Sequence, residues 1–171
     1  MTGPVVRPLR RSEIAAVTAS LPGLPFAPTN KHEERLELQH AGRAIYLIAW
    51  LGDEPVGHVL VHLSPVSEQG ATLGCAELEE LFVREEARGR GVGKALLAAA
   101  EAAAEGAGAR SVGLGVTVAN PANAAARRLY EQCGYADSGL EEFMLGYTYW
   151  DELGRSHRDE ELHRYLAKPL S

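Results

Sequence analysis

The chain has 171 residues, of which 46% are hydrophobic, and this length buries a substantial core without cross-links. Its formal net charge of −6 argues against a general nucleic-acid binder, which needs a basic stripe. Its two cysteines, Cys75 and Cys133, are too loosely placed for a disulfide framework or a zinc site, and no apolar run is long enough to span a membrane.

Residues 5–9 read as a first strand, and the residues before it lack the apolar stretch of a signal peptide, so a cytoplasmic protein is expected. Residues 11–21 suggest a helix with Ser12 as N-cap. Prolines 22, 25 and 28 make the next stretch a loop, after which Thr29 or Asn30 can cap a second helix through His40. Residues 44–50 and 55–63 are two strands joined by the Gly52-Asp53-Glu54 turn. A polar loop at 64–70 precedes a longer strand at 73–83. Residues 91–106 form an alanine-rich helix, 111–118 a strand, and 122–133 a helix ended by Gly134. A strand near 135–139, an irregular polar-aromatic segment and a final strand at 164–170 complete one domain over 1–171. The expected class is α/β, a mixed sheet with helices on both faces.

The most informative stretch runs from Glu79 to Leu97: an apolar strand, a loop with glycines at 89, 91 and 93, and the start of a helix. The glycines remove side chains where backbone must approach a ligand, and they permit positive φ. The helix start turns unpaired N–H groups and a positive dipole end toward an anion such as a phosphate. Arg88, Arg90 and Lys94 add positive charge. A mononucleotide P-loop needs G-x-x-x-x-G-K followed by Ser or Thr; here Arg88 replaces the first glycine and Ala95 follows Lys94. A dinucleotide fingerprint needs G-x-G-x-x-G and an acid about twenty residues on, and 107–120 supplies none. The pattern [Q/R]-x-x-G-x-[G/A] fits Arg88-Gly89-Arg90-Gly91-Val92-Gly93 at every position, against the bland alternative of a flexible helix-capping loop.

Downstream comes Asn123-Ala124-Ala125-Ala126-Arg127-Arg128-Leu129-Tyr130-Glu131-Gln132-Cys133-Gly134-Tyr135, an N-x-x-A-x-x-L-Y-x-x-x-G-Y run preceded by the strand at 112–118. The two motifs in this order resemble the GNAT superfamily of N-acetyltransferases over residues 72–135. The resemblance implies a mostly antiparallel sheet with splayed central strands, acetyl-CoA as co-substrate and no metal. It implies that Leu81, Phe82 and Val83 lie along the pantetheine arm. Leu81 and Val83 would act through backbone groups and Phe82 would pack in the core. Arg88, Gly89, Arg90, Gly91, Val92, Gly93 and Lys94 would wrap the pyrophosphate. Asn123 would sit near the pantetheine or simply start its helix; Asn120 would share that role or belong to a turn before Pro121. Tyr130 matches the tyrosine that protonates the departing sulfur, its plain alternative being a core aromatic. The family often has proline where Glu85 or Glu86 stands.

Acetylating an amine requires a base. An alkyl ammonium with a pKa of about 10.4 costs on the order of 4 kcal/mol to deprotonate at neutral pH, and a nearby carboxylate can accept that proton. The resemblance places the base at Glu79, with Glu77 second. Strand alternation puts Glu77, Glu79, Leu81 and Val83 on one face and Leu78, Glu80 and Phe82 on the other, so Glu80 is expected to be a solvent-facing charge.

The acceptor, a small amine or a peptide, would meet residues 21–40 and 140–157. The second segment sets Phe143, Tyr147, Tyr149 and Trp150 beside Glu141, Glu142, Asp151 and Glu152, which suits a cation; a homodimer contact or ordinary surface accounts for it equally well. No nucleic-acid or membrane partner is expected. The six histidines show no metal spacing and read as ordinary. A non-catalytic acetyl-CoA sensor or scaffold, and a transferase of longer acyl chains, are the alternatives.

Overall fold

The structure is a computed structural model, and it describes residues 2–171. Eight strands form one sheet among these residues: β1 (Val5–Pro8), β2 (Ala44–Leu51), β3 (Glu54–His62), β4 (Ala76–Val83), β5 (Ser111–Thr117), β6 (Ala136–Asp137), β7 (Phe143–Trp150) and β8 (Ser156–Pro169). Their order is β1-β2-β3-β4-β5-β8-β6, with β7 beside β8. All neighbours are antiparallel except β4 and β5. The helices are α1 (Ile14–Ser20), α2 (Lys31–His40), α3 (Glu68–Leu73), α4 (Val92–Gly106) and α5 (Ala124–Gln132).

Strands β2 and β3 are buried along nearly their whole length, because helices cover both faces. On one face, Tyr46, Ile48, Trp50 and Leu60 pack with Val17 of α1 and Leu36 of α2. On the other, Leu47, Val59, Val61, Leu78 and Leu114 pack with Leu96, Leu97 and Ala100 of α4 and with Tyr130 of α5. Asn30 caps α2 by accepting from the amides of His32 and Glu33.

Three local expectations are corrected. Arg11–Glu13 is a 3-10 turn and α1 begins only at Ile14, so Ser12 caps nothing. Part of the expected polar loop is α3, capped by Ser67 and closed by Gly74 at a φ of 68°, and β4 accordingly starts at Ala76. The irregular polar-aromatic segment is a hairpin, with β7 pairing β8 from Phe143↔His163 to Trp150↔Ser156. Asp151 holds its turn by accepting from the amides of Leu153 (3.0 Å) and Arg155 (2.9 Å).

The alternation along β4 also fails, for a specific reason. Its register to β3 shifts by one residue between Leu60↔Glu79 and His58↔Phe82. The extra residue makes a bulge at Glu80, whose φ is +54°. Phe82 is thereby moved to the face of Glu77 and Glu79, where it stacks on His58 with ring centroids 5.6 Å apart. Val83 goes to the opposite face, against the α4 core.

Glu77 is committed to structure. Its buried carboxylate accepts from the Val66 amide, the Ser67 amide (2.9 Å), the Ser67 hydroxyl and the Tyr165 hydroxyl (2.9 Å), tying the loop before α3 to β4 and β8. Removing it leaves the buried Tyr165 hydroxyl and the half-buried Ser67 groups without this acceptor. Glu77→Ala is expected to cost about 3 kcal/mol of stability in urea denaturation, and a loss below about 1 kcal/mol would contradict this role.

Candidate active site

Strands β4 and β5 pair only at Ala76↔Val112 and Glu77↔Gly113, then part. The gap is a cleft of about 320 Å³ lined by Leu78, Glu80 and Leu81 of β4 and Leu114 to Thr117 of β5. Asn123, Ala126, Arg127 and Tyr130 close it on the α5 side, and His163 of β8 closes it on the other. Because its lining comes from both faces of the sheet, the cleft opens toward α4 and α5 on one side and toward α2 on the other.

At the α4 end, Gly89 and Gly91 have φ of 75° and 80°, the left-handed region that favours glycine. Gly91 is the N-cap of the 15-residue helix α4 and offers no side-chain acceptor, so the first helical N–H groups stay available to an anion. A Cβ on Gly93 would lie 2.7 Å from Leu129, so this glycine lets α5 approach α4. Val92 is buried in the core and offers only backbone to a ligand. Arg88 folds back to donate to the Val83 carbonyl (3.1 Å), while Arg90 and Lys94 are exposed around the turn.

Tyr130 is buried, packs edge-on to Tyr135 with centroids 5.9 Å apart, and lines the cleft. Burial pushes its phenol up to about 12, so it is a proton donor throughout the neutral range. Asn123 donates to the Thr117 hydroxyl, fixing the start of α5 to the end of β5. Asn120 lies in the turn just before, outside the residues that line the cleft.

The three glutamates of β4 have three fates. Glu77 is locked in the core. Glu79 is exposed and bonded to His62 at 3.0 Å; that bond, opposed by burial and aided by Arg35, holds its carboxyl below the ordinary range. Glu80 is the correction: it lines the cleft and is gripped by Lys31 and Arg35 of α2. Burial pushes its carboxyl up, but the two cations outweigh burial and hold it below the usual value. Arg35 in turn lies over the Tyr46 ring at 5.1 Å, and the Tyr46 hydroxyl meets His32 Nδ1 at 2.8 Å. Neither Glu80 nor its clamp was legible as such, since only the bulge brings them together. His163 is the other cleft residue the sequence left as ordinary; no local spacing marks it, because the β7–β8 hairpin delivers it.

The family model for the acetyltransferase (GNAT) family matches residues 15–135. The chain belongs to the GNAT acetyltransferase family. Its chemistry is acetyl-CoA-dependent acyl transfer. Among solved structures, a ribosomal-protein-alanine N-acetyltransferase from Brucella melitensis is 20% identical, with a TM-score of 0.66 over 97% of this chain and 99% of that one. The structure of yncA from Salmonella typhimurium with its cofactor acetyl-CoA is 16% identical, with a TM-score of 0.66 over 99% and 95%. An N-acetyltransferase from Staphylococcus aureus is 13% identical, with the same TM-score of 0.66 over 99% and 100%. At these identities the likeness is one of fold. No curated protein matches the chain in sequence. Among the described residues no helix is long and apolar enough to cross a membrane, and no cluster of three or more His, Cys, Asp and Glu side chains could hold a metal ion.

The lowered carboxyls of Glu79 and Glu80 make this GNAT site acid-sensitive. Each contributes stability that is fully present above its unfolded pKa, near 4.5, and is lost as pH falls through the lower folded value. Glu80→Gln is expected to flatten the acid side of the melting-temperature profile, below about pH 5. At neutral pH it should cost roughly 1–2 kcal/mol, less than a sealed pair would, because the Glu80 side chain is 43% exposed. An unchanged acid limb in calorimetry would refute the clamp.

Proposed function

We propose that the chain acetylates the primary amine of a cationic acceptor, a small molecule or a peptide, by direct attack on acetyl-CoA inside the cleft. The observation that carries this is the gap between β4 and β5, which opens through the sheet with a neutral, buried phenol on the α5 side and carboxylates on the α2 side. The donor would enter from the α4 side. The N–H groups after Gly91, with Arg88, Arg90 and Lys94 around them, would hold its diphosphate. The stretch of β4 at Leu81–Val83, which has parted from β5, would take the pantetheine amides as an added strand. A backbone N–H at the bulge would polarise the thioester carbonyl. The cytosol is the proposed compartment.

Glu79, kept ionised by His62, would receive the acceptor's ammonium and pass its proton on through water. Tyr130 would give a proton to the leaving sulfur. The exposed face of the hairpin, where Tyr147, Tyr149, Asp159 and Glu161 lie together, suits a cationic acceptor. That a Brucella neighbour is a ribosomal-protein-alanine N-acetyltransferase supports including a peptide amine among the candidates.

The test is thiol release from acetyl-CoA with spermidine, phenethylamine and an alanine-initiated hexapeptide. Turnover of at least one is expected, and turnover of none would defeat the reading. Tyr130→Phe should lower kcat by about 10²–10⁴-fold, and Glu79→Gln should lower it in the same direction. Both should keep the rise in melting temperature that acetyl-CoA confers on a native-state binder. Wild-type rates in either variant would return that residue to a structural role.

A further inference from the structure

Direct transfer to an amine sheds protons twice: once when the ammonium becomes a free amine, and again when the amine nitrogen bonds the acetyl carbon. Glu79 lies at the exposed margin, outside the residues that line the cleft, and is suited to the first. The second happens within the cleft, and its lining holds few groups able to take a proton. Glu80 is occupied by Lys31 and Arg35, and the Thr117 hydroxyl already accepts from Asn123. Tyr130 is a neutral acid.

His163 is different. It stands where the hairpin meets the sheet, paired with Thr117 of β5 and Phe143 of β7, and is only 8% exposed. Its Nδ1 lies 2.9 Å from the Glu161 carbonyl. A carbonyl only accepts, so Nδ1 carries the hydrogen, and in the neutral ring Nε2 is left with a lone pair. The ring's Cδ2, the neighbour of Nε2, lies 3.5 Å from where a Cβ on Gly115 would sit, so that edge faces the cleft wall, with room made by the glycine. Among the described residues Nε2 has no hydrogen-bond partner. The enclosed unpartnered side-chain atoms are Trp50 Nε1 and His58 Nδ1, so Nε2 of His163 reaches open space.

We propose that His163 is the base that takes the proton shed by the acceptor nitrogen as it bonds the acetyl carbon. This rests on the acyl-transfer reading above. Nε2 gains the proton, the nitrogen–carbon bond forms as the carbon–sulfur bond breaks, and the Tyr130 hydroxyl supplies the sulfur's proton. Water then carries the proton from His163 to the Tyr130 phenolate, so one acetyl group moves and the acceptor's two protons are accounted for between sulfur and solvent.

His163→Asn keeps a donor near the Nδ1 position for the Glu161 carbonyl and offers nothing at Nε2. With the fastest of the three amines named above, it should lose about 10²–10⁴-fold in kcat, keep the acetyl-CoA melting shift, and recover turnover with added imidazole. Substituted imidazoles should rescue in order of their basicity, which mere filling of space would not produce. Independently, side-chain nitrogen NMR of the free protein at alkaline pH, assigned by the signals that vanish in His163→Asn, should show the ring hydrogen on Nδ1. Rates within threefold of wild type, or a ring protonated at Nε2, would overturn the proposal while leaving acyl transfer intact. A wild-type protein inert toward all three amines and unshifted by acetyl-CoA would overturn both.

Discussion

Everything at this site follows from two neighbouring strands that stop pairing. β4 and β5 run parallel and are bonded over only two residue pairs before they separate. Past that point, backbone donors and acceptors face a gap rather than each other, and such groups are costly to enclose without partners. On the reading proposed above, the amides of the donor's pantetheine arm would satisfy them. The cleft therefore combines backbone of two parted strands with the side chains of Glu80, Tyr130 and His163.

The bulge in β4 beside this gap has a cost. Glu80 sits at a φ of +54°, a left-handed conformation worth roughly 1–2 kcal/mol for a residue with a Cβ. Lys31 and Arg35 grip the same residue from α2, so the ion pair offsets the strain where it arises. Arg35 is buried and braced by Tyr46, which is in turn braced by His32. Burial drives the nearby His58 down to about 3 and raises the Tyr46 phenol to about 12, so this layer changes charge little across the neutral range. It acts as a fixed dipolar support.

The glycine turn and helix start proposed to hold the donor were legible in the sequence because they are local. Gly89, Gly91 and the helix start at Val92 form a continuous stretch whose chemistry can be read without knowing what lies opposite. Tyr130 lies on α5 and Asn123 caps its start, at a fixed spacing. The other half depends on pairing. One inserted residue reverses which side chains share a face, and nothing in Glu-Leu-Glu-Glu-Leu-Phe-Val marks where the insertion falls. The β7–β8 hairpin escaped notice for a related reason: both of its faces are largely exposed, so the first half of β8, Ser-His-Arg-Asp-Glu-Glu, carries no apolar alternation. His163 sits at the end of that unreadable stretch.

The bulge also explains why adjacent glutamates on one strand behave so differently. In a regular strand Glu80 would point away from Glu79, toward the apolar face packed by α4, where an ionised carboxylate has no partner. The extra residue turns Glu80 to the α2 side, where two cations wait, and it displaces Phe82 onto His58 to fill the same layer. A single change of register thus spares Glu80 burial in the apolar layer and brings it to its two cations, while Glu79 lies beside His62. Register shift and clamp act together: without the extra residue Glu80 would turn into the apolar layer, away from Lys31 and Arg35.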